Sequence, residues 1–354
     1  MSEQKLRFPI LCIGLITMLS GCRVGTGVHV WQPPLAANAA GKRIAVAPPV
    51  GPRALAGELS QSIAREQPKL PQRAELVSQY ELSQSDAIQL VSFDGRAPSD
   101  LALLPVAKQA GLDLLLVGEV LNDPFGDSRQ PLAHDDPDFQ FKLGQFLQSR
   151  DDDQILAFSW RVIDVENGQT VWANPMSVSK AFVDRTYPDL AGQQTSLSQQ
   201  LQAAAGRETW KLFAPFVDQY QTELAVPWIS LGAKQTREGN RYALEGEWQQ
   251  AEACWRQVLA EHPRQLAALH NLAVAAVARQ DYAEARRLAT EALSKRDSRL
   301  FQETLVWVEA RQREYHQAFG LPDPVGGWTY QASRPAAVSL GSDSRGKSQL
   351  SATD

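Results

Sequence analysis

The chain has 354 residues, 44% of them apolar and 21% charged, with a formal net charge of -5. That length allows two domains, and that composition supports packed cores. The mild acidity excludes the basic footprint of a nucleic-acid-binding protein, and three cysteines are too few for a disulfide-stapled scaffold.

Lys5 and Arg7 precede an apolar run from Phe8 to Met18. About a dozen apolar residues fall short of the roughly 20 that a bilayer-spanning helix needs. Leu19-Ser20-Gly21-Cys22 closes the run, so residues 1–21 read as a secretory signal peptide. The Leu-Ser-Gly-Cys ending resembles a bacterial lipobox. That resemblance implies diacylglyceryl on the Cys22 thiol, cleavage before it, and acylation of the new amino terminus. Residue 23 is arginine, not the aspartate of an inner-membrane retention signal, which implies an outer-membrane lipoprotein facing the periplasm. Losing Glu3, Lys5 and Arg7 takes the charge from -5 to -6. Cys12 leaves with the signal and Cys22 is acylated, so Cys254 stands alone and no intrachain disulfide is expected.

Residues 22–41, rich in Gly, Ala and Pro, are expected to be a structureless tether. Residues 42–228 then alternate strands and helices. Ile44 to Ala47 reads as a strand stopped by Pro48-Pro49, and Leu55, Leu59 and Ile63 share a helix face. Glu75 to Val77 forms a short strand, and residues 81–97 fit strand or helix end equally. Ser99 caps a helix through Leu103, Leu104, Val106 and Ala107, with Gly111 as its left-handed stop. Leu112 to Val120 is apolar enough for a strand covered on both faces. An acidic insertion, 122–153, carries Phe139, Phe141 and Leu143; it reads either as a lid or as a partner- or membrane-touching segment. Ile155 to Val165 is a strand, Asn167-Gly168 a type I′ turn, and Thr170 to Asn174 the return. A further strand piece over 177–183, a helix over 195–213 and a last strand over 222–226 complete a mixed sheet with packed helices.

Three segments carry a resemblance: the first strand entering Pro48-Pro49, the Gly111–Val120 segment, and the Val165-Glu166-Asn167-Gly168-Gln169-Thr170-Val171-Trp172 hairpin. Together they look like the periplasmic α/β domain shared by the curli-secretion lipoprotein, the N-terminal domain of the Tol-Pal propeller protein and the lipoprotein activators of penicillin-binding proteins. The resemblance covers roughly residues 42–226 and implies assembly or regulatory work without catalytic residues.

The C-terminal part repeats. Trp248 and Tyr282, Ala251 and Ala285, and Leu259 and Leu293 each stand 34 residues apart, which resembles the tetratricopeptide repeat. Copies are expected over 232–265 and 266–299, with a capping helix to 320 in a helical domain over 229–320. Residues 321–354 are expected to be a disordered tail.

No catalytic constellation is legible. His134-Asp135-Asp136 with Asp138, and Asp151-Asp152-Asp153, read as solvated acidic turns, so neither metal nor cofactor is expected. Cys254 reads as a buried apolar thiol. Helix-pair solenoids hold peptides in a concave groove, which by position would be lined here by Asn240, Leu244, Asn271 and Ala275. The expectation is a non-enzymatic, lipid-anchored periplasmic scaffold for envelope assembly, secretion or cell-wall synthesis. Its partners would be other envelope proteins or peptides, bound through the groove and the α/β domain. The alternative is an oligomeric outer-membrane pore or secretion-channel subunit.

Overall fold

The structure, a computed structural model, describes residues 22–36, 41–47, 49–69, 75–77, 100–122, 124–125 and 154–330. The signal peptide, residues 81–97, the Ser99 cap, both acidic turns and nearly all of the 122–153 insertion lie outside the described residues.

The expected tether is instead a strand, β1 (Cys22–Gln32). Thr26, Val28, Val30 and Gln32 are buried and Arg23, Gly25 and His29 exposed, the period-two alternation of a sheet with one covered face. β1 pairs antiparallel with a strand almost 200 residues away, β7 (Phe216–Val226), with Cys22 opposite Val226 and Gln32 opposite Phe216. The described residues accordingly divide into two units, one holding 22–33 and 215–330, the other lying within Pro34–Ala214. The expected boundary at 228 therefore moves to 214. The strand expected to finish the mixed sheet belongs to a separate two-stranded ribbon. Pro33-Pro34 and Pro215, which lack the N–H a ladder needs, stand at the two crossings.

Pro34–Ala214 is mixed α/β. Its sheet runs β3 (Glu75–Val77), β2 (Arg43–Val46), β4 (Leu114–Val120), β5 (Ile155–Asp164), β6 (Thr170–Ser179). The first three strands are parallel; β5 and β6 are antiparallel to their neighbours. Ile44, Leu114, Leu116, Phe158 and Trp160 face one side, under α1 (Arg53–Arg65) and α5 (Leu197–Trp210). Ala45, Leu115, Val117 and Ile163 face the other, with Leu103 and Ala107 of α2 (Asp100–Gln109). Both faces of β4 are thus covered, as its continuous apolar run requires. The Trp210 indole N–H donates to the Ile63 carbonyl at 2.6 Å and ties α5 to α1.

Two local expectations are corrected. The piece over 177–183 ends β6 at Ser179 and opens α3 (Lys180–Thr186), because the Ser179 hydroxyl accepts the Phe182 N–H as an N-cap. A one-turn helix, α4 (Pro188–Ala191), follows. In the β5–β6 turn only Gly168 is left-handed, at φ 71°, so it is not type I′. The Asp164 carboxylate accepts the N–H groups of Glu166 and Asn167 and holds a right-handed turn before the glycine reverses the chain.

The other unit is helical beyond the ribbon: α6 (Ala233–Leu244), α7 (Trp248–Glu261), α8 (Leu266–Ala278), α9 (Tyr282–Lys295) and α10 (Arg299–Phe319), each packed on the next. Gly239 lets the Trp255 ring lie on α6; a Cβ there would stand 2.5 Å from its Nε1. In the following pair, Ala273 and Ala289 occupy the positions 34 residues later, both buried, so a small–large contact becomes a small–small one.

Of the expected disordered tail, residues 321–330 are described and 328–330 are held against the helices, while 331–354 lie outside the described residues. Glu309, fully buried on α10, accepts the N–H groups of Thr329 and Tyr330, each at 2.9 Å, and pairs with Arg286 at 3.1 Å. Burial alone raises this carboxyl's pKa, but those N–H groups and Arg286 outweigh it and hold it below its ordinary value. Trp328 lies against the Arg286 and Arg313 guanidiniums.

Gly118 sits beneath Trp160, where an added Cβ would fall 1.9 Å from the ring and 2.7 Å from a backbone oxygen. Gly118→Ala is expected to destabilise the α/β unit by about 1–3 kcal/mol through overpacking, read from its urea midpoint.

Candidate functional site

The surface formed by α6, α8 and α10 is covered by this chain's own ribbon. β7 lies on α6 and α8, and β1 on α8 and α10. Val28, Val30 and Leu224 join one core with Ala243, Leu269, Leu272 and Phe301. At the far end Gln32 donates to Glu314 at 2.6 Å, and Arg311 stacks 3.8 Å from the Tyr220 ring centre.

The polar contacts concentrate on one edge of β7. Ala225 has its N–H held by Asn271 Oδ1 at 2.8 Å, while its carbonyl accepts from Asn240 Nδ2 at 3.0 Å and Asn271 Nδ2 at 3.1 Å. Asn271 also donates to Asn240 Oδ1 at 2.7 Å, and the Trp255 indole N–H reaches that same oxygen and the Thr236 carbonyl. Two residues back, the Glu223 carbonyl lies 2.8 Å from His270 Nε2. A carbonyl only accepts, so Nε2 carries the proton. Nδ1 then faces the Thr304 hydroxyl at 2.9 Å, whose one proton is shared between it and the Leu300 carbonyl at 2.8 Å. Burial foremost, with the charge of Arg23 adding to it, lowers the His270 pKa from 6.5 to about 4 despite the Glu223 carbonyl.

Of the four residues expected to line an open groove, Asn240, Asn271 and Ala275 are therefore buried beneath the ribbon; Leu244, at the end of α6, is 52% exposed. A free groove at this place is corrected to an occupied one. The two asparagines stand 31 residues apart rather than 34, because they converge on one residue of β7 instead of repeating along a solenoid. Sequence reasoning missed His270 and Thr304, which no motif marks. Cys22 is the first residue of β1, opposite Val226. The Cys254 thiol is pushed up by burial and then by Glu238, away from nucleophilic character.

Among the described residues no three His, Cys, Asp or Glu side chains are grouped to hold a metal ion. The α/β unit has a depression lined by Lys42, Lys108, Asp113, Asp164 and Glu166, but Asp113 accepts the Arg43 N–H and Asp164 closes the hairpin. No helix among the described residues is long and apolar enough to cross a membrane.

No family model matches the chain, and no curated protein matches it. Among solved structures, it is similar to the PelC dodecamer from Paraburkholderia phytofirmans at 11% identity and TM-score 0.27, over 52% of this chain and 96% of that one. It is similar to the LpoB C-terminal domain from Salmonella enterica at 14% and 0.25, over 40% and 84%. A third is lipoprotein GNA1162 from Neisseria meningitidis, at 12% and 0.26, over 44% and 99%. Likenesses this slight carry no conclusion about what this chain binds.

Two outcomes follow from the clamp. Asn271→Ala leaves a buried N–H unpartnered and is expected to cost about 1–3 kcal/mol, with faster hydrogen exchange at Ala225. His270 takes up its proton near pH 6.5 when unfolded but only near 4 when folded. Its contribution is thus complete above about 6.5, and about 3 kcal/mol is lost as the pH falls toward 4. Urea unfolding at pH 7.5 and 4.5 reads this loss, and His270→Gln is expected to flatten the dependence.

Proposed function

We propose that this protein is a non-enzymatic, lipid-anchored scaffold of the bacterial envelope, facing the periplasm, whose helices α6–α9 are two tetratricopeptide-type repeats. One observation carries the reading. Cys22, the lipobox cysteine, opens a strand built into the helical core, so acylation there would hold a folded repeat unit at the membrane with no slack between them. The lipobox supports the anchor. The 34-residue offsets and the Gly239–Trp255 contact support the repeat assignment.

With the groove filled in cis, envelope proteins or peptides would dock elsewhere on the unit. The outward surfaces of α7 and α9 carry ladders of exposed ion pairs such as Arg287 with Glu284 and Glu291, and suit polar contacts. Leu244 offers an exposed apolar point at the end of α6.

The test begins with the intact mass of protein extracted from membranes by mild detergent. Acyl mass is expected on the chain beginning at Cys22, and Cys22→Ser is expected to abolish it and shift the protein to the soluble fraction. Light scattering on the same sample is expected to give a monomer or dimer. A ring-sized particle would replace this reading with the pore-subunit alternative, and a chain that crosslinks to no envelope protein would count against the scaffold.

A further inference from the structure

β7 ends at Val226, directly opposite Cys22. The next five residues, Pro227-Trp228-Ile229-Ser230-Leu231, lead to α6. Trp228 is 69% exposed, Ile229 97% and Leu231 75%. Single exposed apolar residues are ordinary; three in four consecutive positions of one loop are not.

The loop is not exposed for want of structure. Arg237 donates to the Pro227 carbonyl at 2.9 Å and to that of Trp228 at 3.4 Å. The buried side chain of Gln265 donates to Ser230 Oγ at 2.7 Å and to the Leu231 carbonyl at 2.9 Å. Gly232 then turns the chain into α6 at φ 77°. The backbone is pinned from both sides and the apolar side chains are left outside.

Position supplies the occupant. Paired residues of an antiparallel ladder lie about 5 Å apart, and each further residue adds at most about 3.8 Å. The Cα atom of Trp228 is therefore within about 13 Å of that of Cys22. Any bilayer that receives acyl chains from Cys22 has its headgroups at this loop. Tryptophan favours that interfacial layer, where its ring is half in hydrocarbon and its N–H stays wet. Exposed Lys234, the second residue of α6, suits anionic headgroups.

We infer that the 227–231 loop is a second membrane contact, dipping Trp228, Ile229 and Leu231 into the bilayer interface beside the lipid on Cys22. This rests on the anchor reading proposed above. It fixes orientation where an acyl chain alone fixes only distance, because two contacts set the unit's face against the membrane.

The full chain is reconstituted in phosphatidylethanolamine–phosphatidylglycerol vesicles containing brominated phosphatidylcholine. Intact mass first reports whether Cys22 is acylated. If it is not, the anchor reading fails by itself, and a chain beginning at Cys22 with Cys254→Ser is coupled through its thiol to a maleimide lipid, so the loop is still tested. Brominated lipid is expected to quench a fraction of the tryptophan emission, and Trp228→Phe is expected to reduce that fraction severalfold. Ile229→Ser with Leu231→Ser, which keeps every tryptophan, is expected to lower it as well. A quenched fraction unchanged by Trp228→Phe overturns the inference. So does a Trp228 shielded from both brominated lipid and aqueous iodide, which would mean a second copy or another protein covers the loop.

Discussion

A strand edge buried against helices must find partners for its N–H and C=O groups, and this requirement shapes the helical unit. β7 meets it at Ala225 with two asparagine side chains and at Glu223 with a neutral histidine. Those three side chains explain why α6 and α8 carry fully buried polar residues in otherwise apolar faces. The dependence is mutual. A two-stranded ribbon is marginal alone in water, and helices without the ribbon would expose Leu269, Leu272 and Phe301.

The same device recurs at the far end of the unit. Glu309 does for the backbone of Thr329 and Tyr330 what Asn271 does for Ala225: a buried polar side chain on a helix satisfies backbone groups of a segment laid against it. Both are costly to half-break, since each removal strands a group that water no longer reaches. The α/β unit is organised otherwise. Its strands satisfy one another, and its helices contribute apolar faces, with Trp210, Gln202 and Arg207 of α5 bonded to Ile63, Glu58 and Glu66 at α1.

Local patterns were legible in the sequence where their causes are local. The run over 114–120 needs cover on both faces and has it; the 34-residue offsets mark equivalent helix starts at Trp248 and Tyr282. What escaped depends on remote partners. The alternation Thr26, Val28, Val30 was present, but Gly25, Gly27 and Pro33-Pro34 mask it, and nothing nearby in the chain marks Phe216–Val226 as its mate. The asparagines' place along the helices suggests a groove lining, whereas the strand edge sets their task. Ser179 turned a β-branched stretch into a helix start by one hydroxyl, and the Asp164 carboxylate overrode the usual Asn-Gly turn.

The pairing of Cys22–Gln32 with Phe216–Val226 also fixes an order of assembly. A chain is synthesised from its amino end, so β1 is made more than 180 residues before its mate exists. Every described strand of the Pro34–Ala214 sheet has been made by then. The helical unit comes last, and its closure is the slow, long-range step. Until it occurs, the amino-terminal strand is an unpaired edge that chaperones and other strands are free to grip. A chain that stops before Phe216 therefore never seats that strand, whereas a finished one withdraws it.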